Sequence, residues 1–116
     1  MLIELKSELK KFGNPEKAKF LSGFFKTGKG QYGEGDIFLG IAVPKTREIA
    51  KKYAEINFKG VEELLNSKIH EERLASLMIL VEKYKKDDAQ GKKLIIEFYL
   101  KNAKKINNWD FRNSAE

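Results

Sequence analysis

The chain has 116 residues, 41% hydrophobic and 34% charged, with a net charge of +6 and no cysteine. That length fits one domain with a modest core. The absence of cysteine excludes a disulfide framework, a thiolate nucleophile and a cysteine-bound metal, and no apolar run approaches membrane-spanning length.

The opening Met1-Leu2-Ile3-Glu4-Leu5-Lys6 is too polar for a secretory leader, so a soluble cytoplasmic protein is expected. The basic excess is lysine; arginine occurs only at Arg47, Arg73 and Arg112. A basic surface suits polyanion partners through counterion release, and equally serves plain solubility.

Leu2, Leu5, Leu9 and Phe12 recur at helical spacing and predict a first helix over 2–12, stopped by Gly13. Asn14-Pro15-Glu16 carries the signature of a second helix start: a cap, an early proline and a first-turn acid. Its apolar face is read as Ala18, Leu21, Phe24 and Phe25, ending near Lys26. Thr27–Gly40 then holds five of the nine glycines, at 28, 30, 33, 35 and 40. It does not spell the phosphate-binding Gly-x-x-x-x-Gly-Lys-Ser/Thr, and no clean strand precedes it. It reads instead as a surface loop with positive-φ glycines, anchored by Ile37, Phe38, Leu39 and Ile41 dipping into the core.

Val43-Pro44-Lys45-Thr46 opens a third helix with Ile49, Ala50 and Tyr53 inward. Asn57–Gly60 reads as a break. Val61, Leu64 and Leu65 form a short fourth helix ended by Asn66-Ser67. The fifth begins near Ile69, with Leu74, Leu77, Met78, Val81 and Tyr84 as its expected face and Lys83, Lys85 and Lys86 at its C-terminus. Asp87-Asp88 caps a sixth that buries Leu94, Ile95, Phe98, Tyr99, Ala103 and Ile106. Residues 69–106 then make one helical hairpin and 44–67 a shorter one, close to the period of HEAT and armadillo repeats. The expected fold is all-α: stacked antiparallel helical hairpins, about six helices plus the start of a seventh, in a single domain over 1–116.

Ile106–Asn113 follows, with the only tryptophan. Two asparagines before Trp109 mark a helix start, and Trp109 and Asn113, four apart, would share a face. Spacing alone leaves two readings: a site beside a lysine-rich helix end, or a packed aromatic and a solvated amide.

Three stretches together resemble the DNA alkylation repair family, the HEAT-like-repeat DNA glycosylases of the AlkD type. They are Tyr32-Gly33-Glu34-Gly35-Asp36-Ile37-Phe38-Leu39-Gly40-Ile41 with Val43-Pro44 and Arg47, then His70-Glu71-Glu72-Arg73-Leu74-Ala75, then Ile106-Asn107-Asn108-Trp109-Asp110. The resemblance implies an α-superhelix whose basic concave face holds duplex DNA and which hydrolyses the N-glycosidic bond of alkylated purines. It implies that the chain is the N-terminal half of a longer family fold. It places Trp109 against the lesion nucleotide. Where the family has a second aspartate to stabilise the cationic sugar, this chain has Asn113. Losing such a charge commonly costs on the order of 10²–10³ in rate.

Alkylated duplex DNA is the expected partner, with no cofactor, no metal and no membrane. Lys104, Lys105 and Arg112, near Lys101, are the expected cations beside Trp109. Lys26, Lys29 and Tyr32 are expected to touch DNA backbone from the glycine-rich loop. His70 is read as a helix-start residue and not as a base. An uncapped helical face would favour self-association. The alternative to a glycosylase is a non-catalytic helical module that binds nucleic acid or protein.

Overall fold

The computed structural model describes residues 1–24 and 35–106. Those residues are all-α, in the order α1 (Leu2–Lys11), α2 (Pro15–Phe24), α3 (Val43–Lys52), α4 (Phe58–Leu65), α5 (His70–Lys86) and α6 (Ala89–Lys101). A further helical turn covers 103–106.

Helix α5, 17 residues long, is the axis against which α1, α3, α4 and α6 all pack. The core is drawn from each of them: Leu5 and Leu9, Ile49 and Ala50, Val61, Leu64 and Leu65, Ala75, Ile79 and Leu80, then Ile95. Burying a side chain of this size stabilises by about 1.5–3 kcal/mol. Helices α5 and α6 form the hairpin expected across Asp87-Asp88, and α3 and α4 both lie on α5.

Local chemistry explains the helix starts. The Asn14 Oδ1 accepts from the amides of Glu16 and Lys17 at 3.0 and 3.1 Å, capping α2. The Asp88 side chain accepts from the Gly91 amide at 2.8 Å and caps α6. Asn57, expected within a break, caps α4 by accepting from the Gly60 amide at 2.8 Å, so Gly60 lies inside the helix.

Three expected faces need correction. None of the side chains of α2 is buried; Phe20 and Phe24 stack on each other at the surface, 6.4 Å between centroids. In α5 the fully sheltered residues are Glu71, Glu72, Arg73, Ala75, Ser76, Ile79 and Leu80, whereas Val81 and Tyr84 are exposed. The helix buries its polar first turn, so hydrophobic periodicity alone points to the wrong side there. In α6 only Ile95 is buried, and Leu94 and Tyr99 are exposed. Helix α6 also stops at Lys101 instead of running to Ile106, because the Asn102 side-chain amide donates to the Phe98 carbonyl at 2.9 Å and competes with the ladder.

Candidate nucleic-acid interface

The best-defined polar construction is at the start of α5. The N-cap position, Ile69, offers no side-chain oxygen. The backbone of the segment leading out of the glycine-rich stretch takes its place. The His70 amide donates to the Ile37 carbonyl at 2.8 Å, and the Ile37 amide donates to the Lys68 carbonyl at 2.9 Å, a parallel bridge between Ile37 and Ile69. One of the orphan N–H groups of a helix start is thereby satisfied.

Glu71 completes the junction. Its carboxylate, almost fully buried, accepts from the backbone amides of Leu39 at 2.9 Å, Gly40 at 3.0 Å and, more weakly, Ile41 at 3.4 Å. A buried carboxylate is tolerated only when hydrogen bonds replace its water, and a fan of amides does so. Arg73 lies close by. Its guanidinium donates to Asp36 at 3.1 Å and to the Ser67 carbonyl at 2.9 Å, and both charged side chains are buried. The His70 ring stacks on Phe38, 4.7 Å between centroids. Burial holds the His70 pKa below 6.5, keeping the ring neutral at pH 7.

This junction corrects one anchor. Phe38 and Ile41 are buried as expected, but Ile37 is half exposed. Successive residues of an extended segment point to opposite sides, and the bridge turns Phe38 inward and Ile37 out. Gly35 and Gly40 do adopt positive φ, 84° and 80°. At Gly40 a Cβ would also lie 2.2 Å from the Asn14 carbonyl oxygen. That close approach seats the start of α2 on the junction.

Of the expected DNA-contacting residues, Lys104 and Lys105 are exposed on the 103–106 turn, as is Lys101 just before it. Lys105 donates to the Asn66 side chain, tying this turn to the C-cap of α4. Lys26, Lys29, Tyr32, Trp109, Arg112 and Asn113 lie outside the described residues. Arg47, Lys51, Lys59, Lys68, Lys101 and Lys104 make no ion pair among the described residues, leaving their charge available to a polyanion.

A groove on the opposite side of the charge balance is not of that kind. It has a volume of about 710 Å³ and lies between α1 and α3, lined by Glu4, Glu8, Lys11, Lys45, Glu48 and Lys52 among others. Lys45 pairs with Glu48 at 2.8 Å and Lys52 with Glu8 at 2.7 Å. The Lys52 hydrogen bond pulls the Glu8 pKa down, and Glu8 raises that of Lys52 in return. Compensated charge of this sort offers little to a phosphate backbone. Among the described residues no cluster of three His, Cys, Asp or Glu side chains could hold a metal ion.

The partnerships of Glu71 with the 39–41 amides and of Arg73 with Asp36 reach across thirty residues or more, and periodicity gives no sign of them. The one signal was that both ends of the junction fall in stretches resembling the same family. Comparison with known proteins bears on that directly. No curated protein and no solved structure gives a significant match to the chain. A family model described as DNA alkylation repair enzyme does match, over residues 5–115. Both halves of the α5 junction and the stretch through Trp109 fall inside that match, and the chain belongs to the DNA alkylation repair enzyme family.

Proposed function

We propose that this chain engages duplex DNA carrying alkylated purines, with the chemistry of a DNA glycosylase: hydrolysis of the N-glycosidic bond. The family match over residues 5–115 carries this reading. An alkylated, cationic purine is already a good leaving group. Positioning and electrostatic stabilisation of the sugar cation therefore supply most of the catalysis, and little acid is needed. Trp109 packs against the lesion nucleotide, and position 113 faces the sugar. The exposed Lys104 and Lys105 contact phosphates, together with Arg112 and, from the glycine-rich loop, Lys26, Lys29 and Tyr32. The α5 junction contributes indirectly, because it fixes the chain at Asp36–Ile41, the C-terminal end of that loop.

Asn113 favours a second reading. An amide accepts a hydrogen bond but brings no negative charge to an oxocarbenium-like centre, which fits a helical module that binds damaged DNA without cleaving it. One experiment separates the two: release of free alkylated purine from a methylated duplex, by the parent chain and by Asn113→Asp. Release by the parent supports the glycosylase. Release only by the variant assigns the charge-stabilising role to position 113 and makes the parent a binder. Silence from both, with salt-dependent DNA binding intact, leaves the binding module; loss of that binding as well sinks both readings.

A further inference from the structure

Lys83 stands apart from the lysines around it. Its side chain is only partly exposed, on the α5 flank of a cavity of about 280 Å³. Phe58, from the start of α4, forms the apolar wall of that cavity with Ala54 and Ile95. The Lys83 ammonium lies 5.7 Å from the centroid of the Phe58 ring, and Phe98 braces that ring with 5.1 Å between centroids. Among the described residues Lys83 makes no ion pair and no side-chain hydrogen bond. Lys85, two positions on and open to solvent, pairs with Glu82 at 3.3 Å.

A lysine is a nucleophile only as the neutral amine. Apolar surroundings disfavour the ammonium, and one ring face returns only part of the hydration that burial removes. Burial accordingly holds the Lys83 pKa below its ordinary 10.5; Glu55 and Asp87 oppose this, and Lys86 adds to it. All three of those groups line the same cavity, so two carboxylates share it with the amine as proton acceptors.

We propose that Lys83 is an acylation site, its amine taking an acetyl group from an activated donor, a thioester or an acyl phosphate. Once the ammonium has given up a proton, the Nζ lone pair attacks the donor carbonyl carbon and forms the amide bond. The carbon–sulfur or carbon–oxygen bond breaks, and its electron pair leaves with the thiolate or the phosphate. The proton then shed by nitrogen passes to Glu55 or Asp87 and on to water. The product is a neutral amide, so no charge is left against Phe58.

The test is mass spectrometry of acetyl occupancy at each lysine after brief treatment of the full chain. One arm uses S-acetyl-N-acetylcysteamine and the other acetyl phosphate. Lys83 is expected to gain acetyl at least about threefold faster than Lys85 and Lys86 on the same turn of α5, because more of its amine is neutral. A preference with both donors supports the site, and a preference with one alone supports it and names the source. Phe58→Ala is expected to bring Lys83 down to the rate of its neighbours, since water then reaches the ammonium. Phe58 is 37% exposed, so the variant keeps the fold, which circular dichroism checks directly. Equal rates at the three lysines with both donors overturn the proposal. So does an undiminished preference in Phe58→Ala, or one that survives in denaturing urea, because the sequence neighbours and not the cavity would then set it.

Discussion

Helix α5 passes through two environments. Its first turn, His70–Arg73, is charged by sequence and sheltered in fact; its last two turns hold Val81 and Tyr84, apolar by sequence and open to solvent. A residue type does not decide its own exposure. Glu71 and Arg73 are met by partners brought from far along the chain, the 39–41 amides and Asp36, and Arg73 also by the nearby Ser67 carbonyl. Glu72 is the looser case, its nearest cation being Lys6 at 4.0 Å. At the other end no described element covers the apolar residues. The first turn is locked to distant segments, while Val81 and Tyr84 leave one face of the last two turns open.

The sharpest way to break that contrast is Glu71→Ala. It strips the acceptor from the amides of Leu39, Gly40 and Ile41 while leaving them inside. A loss of about 4 kcal/mol is expected, a large part of the total stability of a small domain, read from the urea unfolding midpoint. Next comes a pair of truncations two residues apart. Ile79→Ala, at a fully buried position, is expected to cost about 3 kcal/mol, and Val81→Ala less than about 0.5 kcal/mol, in the same unfolding assay. Equal costs would mean that Val81 does not lie on the open face described.

The smallest effect is one of pH. Burial is the main reason the His70 pKa lies below 6.5, helped by Arg73 and opposed by Glu71 and Asp36. The unfolded chain therefore takes up the proton first as pH falls. Stability is expected to decline below about pH 6.5 and to level off once the folded pKa is passed, and His70→Phe should flatten that decline. Glu8, held low by the Lys52 hydrogen bond, contributes a separate loss below its ordinary value of 4.5. Thermal melts between pH 7 and 5 isolate the histidine.

Much of this architecture was legible in the sequence because the devices are local. Asn14 and Asp88 act within three residues of their own positions, and the cores of α1, α3 and α4 follow simple helical spacing. Even the missed cap, Asn57, is a local signal: an asparagine three residues before a helical glycine. What spacing could not supply was the junction of Asp36–Ile41 with α5. A glutamate and an arginine at a helix start read as solvated charge, and nothing in their own neighbourhood reveals a partner in another segment. Of the candidate site, Lys104 and Lys105 are exposed, as a lysine-rich helix end suggests. The parts of it that rest on Trp109 and Asn113 are carried by resemblance, since a lone tryptophan has the same spacing whether it packs or binds.

The junction also has a consequence for the order in which the chain folds. Leu39 and Glu71 lie 32 residues apart, so joining them closes a loop at an entropic cost of about 3 kcal/mol. The turn between α5 and α6 closes over a few residues at far lower cost. The hairpin can therefore assemble early, and the carboxylate meets its three amides only after α3 and α4 have drawn the earlier segment near. Amide-hydrogen exchange at Leu39 and Gly40 checks that order: these amides are expected to open before those of α5, and the junction then acts as the molecule's latch.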